Sequence, residues 1–287
     1  MKILILGRGY VGSALQATLP FLVEGCEIDL KSREDLNYHD YDTLFKYVIQ
    51  THPQYIINTC GYTGRPNVDA CEDDKDNTWH YNVVLPVVLQ QVCSNTRTKF
   101  IHVSSGCIYD GYEKEFTETD QPNFGLMSEH SSWYSKTKHA CEMMLRGSDV
   151  WLLRIRMPFC STTSERNVLT KLLKYDNIIN QMNSMTCIED FSAFIAKILK
   201  NPIPCGIYNV TNPVPLTTED TINIFIKHKL VNANWKFISL EELKRYTITG
   251  RSNCVLNTDK INSLGLALPD TFTSLNRSIK KISDKLL

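Results

Sequence analysis

Short unbroken apolar runs recur along the first half of the chain, as in Ile3-Leu4-Ile5-Leu6, Tyr55-Ile56-Ile57, Phe100-Ile101-His102-Val103 and Trp151-Leu152-Leu153. Runs of this kind, apolar on both faces, read as strands buried inside a sheet. They predict strands over Lys2 to Leu6, Cys26 to Leu30, Tyr55 to Asn58 and Trp151 to Arg156, and over Phe100 to Tyr109 a strand with the turn that follows it. Between them the spacing turns helical, over Val11 to Ala17, Asp42 to Thr51, Trp79 to Cys93 and Thr137 to Arg146. Strands alternating with helices predict an α/β fold with a doubly wound, mostly parallel, Rossmann-like sheet.

Past Pro158 the pattern loosens. A polar loop covers Ser161 to Asn167 and a short helix Val168 to Tyr175. Asn183 to Thr186 reads as irregular, Ile188 to Leu199 as helix and Gly206 to Val210 as strand. A helix from Thr218 to Lys229 follows, with Thr217 near its cap, and then Arg251 to Leu256 and a helical tail. Gly111 to Gln121 reads as an acidic turn. The expected layout is a dinucleotide-binding domain over residues 1–160 and a smaller substrate-binding lobe over 161–287, with segments free to cross back.

Composition narrows the class. The 287 residues carry 31 basic and 31 acidic side chains, so the net charge is zero and no basic tract stands out. Nucleic acid and anionic membranes are not expected partners. No apolar run approaches the ~18 residues of a membrane span. Met1 to Gly7 reads as a first strand running into a turn, not as a signal peptide. The ten cysteines are scattered with no Cys-x-x-Cys pair. That points to a reduced, cytoplasmic protein without a metal site.

Three stretches carry chemistry. Gly7-Arg8-Gly9-Tyr10-Val11-Gly12 follows the first strand and opens the first helix. In that context Gly7 serves a tight turn, Gly9 the approach of a pyrophosphate and Gly12 close packing of helix on strand. Asp29, at the end of the second strand, suits an adenosine ribose hydroxyl, whereas Lys31 and Arg33 suit a 2′-phosphate or a solvated turn. The cofactor is NADPH by preference, with NADH left open. The loop after the third strand, Asn58 to Asp69, lies where open α/β sheets bind ligands. Within it Cys60, Gly61 and Tyr62 fall to the cofactor and Thr63, Arg65 and Asn67 to the substrate; Arg65 reads as an anion clamp or a surface residue.

The third stretch is Ser104-Ser105-Gly106-Cys107, taken with Tyr134 and Lys138. Tyr and Lys four apart share one helix face. An ammonium beside a phenol lowers its pKa. Ser105 would then hold a carbonyl oxygen while Tyr134 exchanges the proton. Cys107 lies two residues past Ser105, and in extended chain both side chains point the same way.

These residues resemble the extended short-chain dehydrogenase/reductase family, through the glycine turn, Asn58, Asn82, Ser105 and Tyr134-x-x-x-Lys138. Within it the chain resembles the dTDP-4-dehydrorhamnose reductase branch, and closer still the bifunctional UDP-4-keto-6-deoxyglucose 3,5-epimerase/4-reductases. The likeness is carried by Gly64 to Asp69, Gly106 to Ile108, Lys114 to Phe116, Pro122 to Phe124, Tyr134 to Lys138, Arg154 to Pro158, Asn183 to Thr186, Tyr208 to Pro213 and Arg251 to Asn253. It implies that Cys107 and Lys171 are the acid/base pair of epimerisation. It implies that Asn82 and Lys138 serve the cofactor, that Gly106, Pro158 and Asn183 line the substrate, and that Arg251 holds a nucleotide diphosphate. It also implies a homodimer. The glycine turn departs from the family's usual Gly-x-x-Gly-x-x-Gly by being one residue shorter, and the branch often lacks an acid where Asp29 stands.

Two other functions compete. One is a monofunctional 4-ketosugar reductase fed by already epimerised substrate. The other is a non-catalytic regulatory subunit of the methionine adenosyltransferase beta type, against which the presence of Ser105, Tyr134 and Lys138 together argues.

Overall fold

A computed structural model describes residues 1–232 and 234–286. The chain runs β1 (Lys2–Leu6), α1 (Tyr10–Leu22), β2 (Glu27–Lys31), α2 (Tyr41–Thr51), β3 (Tyr55–Asn58), α3 (Ala70–Asp73) and α4 (Lys75–Trp79). A π-helical turn, His80–Val84, joins α4 to α5 (Leu85–Thr96), followed by β4 (Lys99–Ser105), β5 (Gly111–Phe116), α6 (Trp133–Leu145), β6 (Val150–Ile155) and β7 (Pro158–Phe159). Then come α7 (Val168–Lys174), β8 (Asn177–Ile179), β9 (Asn183–Cys187), α8 (Ile188–Lys200), β10 (Gly206–Asn209), β11 (Asn212–Leu216) and α9 (Thr218–Lys227). The remainder is β12 (Lys236–Ile238), α10 (Leu240–Leu243), β13 (Cys254–Leu256), α11 (Asp259–Ser263) and α12 (Thr271–Leu286).

Six parallel strands form the main sheet in the order β10-β6-β4-β3-β1-β2. The order reverses direction between β1 and β3, which makes their carboxyl ends the natural crevice for a ligand. One face of the sheet packs Leu15 and Leu19 of α1 with Phe191, Phe194 and Ile195 of α8. The other packs α2, α5 and α6 through Leu44, Leu89 and Cys141. The apolar runs are thus enclosed on both sides, which is why they show no alternation.

Four local readings are corrected. The α6 helix begins at Trp133, not Thr137, because Ser132 caps it by accepting from the Ser135 amide at 3.1 Å. Tyr134 therefore sits in the first turn. Gly111–Phe116 is a strand, paired with β13 far down the chain. Asn183–Cys187 is likewise a strand, held between β7 and β11. Finally, α1 runs on through Pro20 to Leu22.

We divide the molecule by packing. The α8 helix and β10 return to the six-stranded sheet, whereas β7, β9 and β11 form a separate three-stranded sheet. That sheet packs on α9 and α12 through Phe159, Met185, Phe225 and Leu275. A second unit therefore begins at about β7, while α8, β10 and α11 pack with the six-stranded sheet.

Inside the sheet lies an ion pair. Arg154 of β6 and Glu142 of α6 are 0% and 1% exposed, and Arg154 Nη2 donates to Glu142 Oε2 at 2.7 Å. Arg154 Nε also reaches both carboxylate oxygens, and Ser104 Oγ donates to Glu142 Oε1 at 2.8 Å. Arg154→Ala leaves a buried, unpaired carboxylate. It is expected to cost ~3–5 kcal/mol in denaturant unfolding. A cost below ~1 kcal/mol would show that water reaches Glu142 freely.

Candidate active site

The glycine turn is built as its spacing requires. Gly7 has φ +102°, and a Cβ on it would lie 2.9 Å from Thr59 Oγ1. A Cβ on Gly12 would meet the Gly7 carbonyl oxygen at 2.1 Å, so helix and turn touch backbone to backbone. At Gly9 a Cβ meets nothing within 4 Å. Gly9 is also the N-cap of the 13-residue α1 and makes no side-chain cap bond. The first turn of α1 thus starts uncapped by a side chain beside an open position, the arrangement that accepts a phosphate. Val11 packs on the core. The Tyr10 hydroxyl is turned inward, near Cys160, Cys187 and Glu189, and finds no hydrogen-bond partner among the described residues.

At the end of β2 the mixed charge signal resolves. Asp29 is not a free acid: it pairs with Lys31 at 3.1 Å and accepts from the Tyr47 hydroxyl. Ser32 donates to Asp35, which also pairs with Arg8 at 2.7 Å. The exposed Arg33 donates to the Tyr81 hydroxyl at 2.8 Å, and Tyr81 stacks on Tyr62.

The loop after β3 is fixed by Asn82. Its side chain accepts from the Tyr62 amide at 2.8 Å and donates to the Tyr62 carbonyl at 2.9 Å and to Thr137 Oγ1 at 3.0 Å. One amide side chain thus ties this loop to α6, from the π-helical turn, a distortion that often marks functional sites. A Cβ on Gly61 would lie 3.4 Å from Lys138 Nζ, so the glycine leaves room for the ammonium. Cys60 is buried and its thiol is pushed up to about 12 by burial, which leaves it inert. Asn58 accepts from the Cys60 amide and bonds His102 at 3.0 Å, a structural role.

The β4 strand delivers Ser105, and there the chain turns rather than staying extended. Ser105 Oγ accepts from the Cys107 amide at 3.1 Å, so a turn, not strand alternation, relates the two residues. A Cβ on Gly106 would strike Leu256 at 2.5 Å, which packs the turn under β13. Tyr134 is 9% and Lys138 4% exposed, with Lys138 Nζ 5.9 Å from the Tyr134 ring centre. Burial pushes the phenol pKa up and the Cys107 thiol adds to it, while the Ser105 hydroxyl and Arg166 pull it down. Burial also lowers Lys138. Burial, not the ammonium, therefore dominates the phenol. Held protonated, it is equipped to give a proton.

Residues from distant segments complete the site. Arg166 Nη1 donates to Thr63 Oγ1 and to the Gly64 carbonyl, both at 2.8 Å. It also depresses Lys171, whose pKa is lowered first by burial. Arg65, Arg166, Lys171 and Lys174 line one cavity of about 480 Å³. Arg251 is engaged, gripping Asp69 with two hydrogen bonds of 2.8 Å. Asn67 accepts from the Asp69 amide, and Asn183 accepts from Arg156. Pro158 pairs with Thr186 at the lobe boundary. Sequence reasoning missed Arg156 and Arg166. Arg156 carried a signal, a second arginine in an otherwise apolar strand run; Arg166 stands in a polar loop and carried none.

Comparison with known proteins now bears on this arrangement. The RmlD substrate binding domain family matches residues 1–283. The chain belongs to this family. A bifunctional dTDP-4-dehydrorhamnose 3,5-epimerase/dTDP-4-dehydrorhamnose reductase from Arabidopsis thaliana is 31% identical over 233 residues, covering 78% of this chain and 75% of that protein. The crystal structure of the L780 UDP-rhamnose synthase from Acanthamoeba polyphaga mimivirus superposes with a TM-score of 0.89 at 27% identity, over 98% of this chain and 99% of that one. A Bacillus anthracis dTDP-4-dehydrorhamnose reductase in complex with NADP shares the fold at TM-score 0.82 and 18% identity, over 99% of each chain.

This RmlD-family chain is an enzyme built on a six-stranded parallel sheet. No described helix is long and apolar enough to cross a membrane. The open space at Gly9 sets a test. Gly9→Val is expected to melt where the native protein does, yet to bind NADPH at least tenfold more weakly in a fluorescence titration. Undiminished binding would mean that the pyrophosphate does not cross this turn.

Proposed function

We propose that the chain is a bifunctional 3,5-epimerase/4-reductase that converts UDP-4-keto-6-deoxy-D-glucose to UDP-L-rhamnose with NADPH. The observation that carries this reading is the placement of Cys107. Its thiol is partly exposed, accepts from Arg156 at 3.5 Å and bears on the Tyr134 phenol, where a plain reductase requires only Ser105, Tyr134 and Lys138. The similarity to a UDP-rhamnose synthase along nearly the whole chain supports it.

The chemistry follows from the ketone. A carbonyl at C4 acidifies the hydrogens on C3 and C5. Cys107, as thiolate, takes such a proton, and the C–H electron pair moves onto the C4 oxygen. Ser105 and Tyr134 donate hydrogen bonds to that oxygen and stabilise the charge. Lys171, its pKa lowered by burial and by Arg166, returns a proton from the opposite face. The cofactor, bound along the Gly9 turn, supplies hydride to C4. Tyr134 then gives its proton to the C4 oxygen, and Lys138 restores it. NADPH is favoured because Asp29 is neutralised by Lys31, while the exposed Arg33, bonded to the neutral Tyr81 hydroxyl, keeps its charge at the rim of β2; Arg8 is paired with Asp35. The cation-lined cavity of Arg65, Arg166, Lys171 and Lys174 suits a nucleotide diphosphate. Arg251, closed on Asp69, instead acts by holding the substrate loop.

Two substitutions test the reading. Tyr134→Phe is expected to lower NADPH oxidation by about 10²–10⁴-fold. Cys107→Ala is expected to convert already epimerised UDP-4-keto-rhamnose but to fail on the unepimerised ketosugar. Full-rate conversion of the latter by Cys107→Ala would leave only a monofunctional reductase. Parallel assays with dTDP- and UDP-linked substrate, identifying the product sugar, decide the nucleotide.

A further inference from the structure

Arg156 is a buried cation that lacks an anion. It is 1% exposed. Arg154, Arg251 and Arg277 each close on a carboxylate. Arg156 instead donates only to neutral groups: Nη1 to Ser252 Oγ at 2.8 Å and to Cys107 Sγ at 3.5 Å, Nη2 to Asn183 Oδ1 at 2.5 Å and to the Ser252 carbonyl at 2.6 Å. Its Nε has no partner among the described residues. Taking a guanidinium out of water without a counter-charge is costly, and the cost falls when an anion forms beside it.

The ionisable groups that bear on it most are Cys254, Cys107, Tyr112 and Asp110. Asp110 is engaged by the Asn253 amide at 2.7 Å, burial pushes its pKa up, and it forms no ion pair with Arg156. Burial also raises the thiol of Cys254, which is 0% exposed. Cys107 is the half-open thiol, directly hydrogen-bonded and next to the phenol that meets the ketosugar. Asn183 of β9 and Ser252, just ahead of β13, clamp the guanidinium from the lobe, so its aim at the sulfur is fixed by two distant segments.

We propose that Arg156 is the positioning residue for the epimerisation base, turning the Cys107 sulfur towards the substrate and carrying the counter-charge of its thiolate. This rests on the reading of Cys107 as base. The thiolate takes the carbon-bound proton and becomes S–H, the electron pair passes to the C4 oxygen under Ser105 and Tyr134, and the guanidinium stays protonated throughout. The negative charge thus moves from one stabilised position to another.

The test is the pH profile of Cys107 alkylation by iodoacetamide in the full chain, read by peptide mass spectrometry. Arg156→Gln is expected to shift the profile up by about one pH unit, a roughly tenfold loss of reactivity at fixed pH below the midpoint. Arg156→Lys, which keeps the charge, should lie between. A native profile in a folded Arg156→Gln protein overturns the proposal. If that variant does not fold, Ser252→Ala decides, since it loosens the guanidinium without removing it, and an unshifted profile there overturns the proposal equally. Solvent deuterium entering the ketosugar at C3 and C5 separates this from the underlying reading. Wash-in lost in Cys107→Ala, with alkylation unmoved in Arg156→Gln, sinks Arg156 alone. Wash-in retained in Cys107→Ala sinks the base and the positioning residue together.

Discussion

The site depends on a carboxylate and a guanidinium that never meet water. Glu142 lies on α6 two turns past Tyr134 and one past Lys138, so all three share one face. Arg154 holds Glu142 to β6, and Ser104 holds it to the end of β4. The helix that carries the phenol and ammonium is thereby locked against the strand that carries Ser105. A pair of this kind adds little net stability over apolar packing, but breaking it strands a charge. It therefore fixes the helix at one rotation and one height. Asn209 of β10 reaches the same guanidinium at 3.3 Å and also bonds the carbonyls of Phe116 and Asn257, which extends the lock towards the lobe.

A second arginine repeats the logic two residues on, with a different end. On β6 every other side chain points to one face, so Arg154 and the Arg156 that follows the strand fall on the same side. Arg154 faces a carboxylate and is quiet. Arg156 faces neutral groups and a thiol, which leaves its charge available to chemistry. Arg166 does similar work from the lobe, bonding the loop after β3 and bearing on both Tyr134 and Lys171. Cationic charge is thus spread around a pocket in a chain whose net charge is zero.

Much of the fold was legible beforehand. The apolar runs, the glycine turn and the alternation of periods point to a parallel sheet covered by helices, because runs apolar on both faces must be enclosed on both. Gly7, Gly12 and Tyr134-x-x-x-Lys138 act over a few residues, and local geometry decides them. Where a strand was missed, the partner lay far off. Gly111–Phe116 became a strand only because Cys254–Leu256 arrives beside it, and Asn183–Cys187 only because β7 and β11 flank it.

The same division holds at the site. Residue types and spacing alone determined the sheet, the turn and the Ser105, Tyr134 and Lys138 set, because each is encoded within a strand end or a helix turn. Tertiary structure alone decided that Asp29 is spent on Lys31, that Arg251 closes on Asp69, that burial outweighs the ammonium at Tyr134, and that Arg156 reaches Cys107. Charge pairing and desolvation depend on what lies within a few ångströms in space, and that distance is not written in the order of the residues.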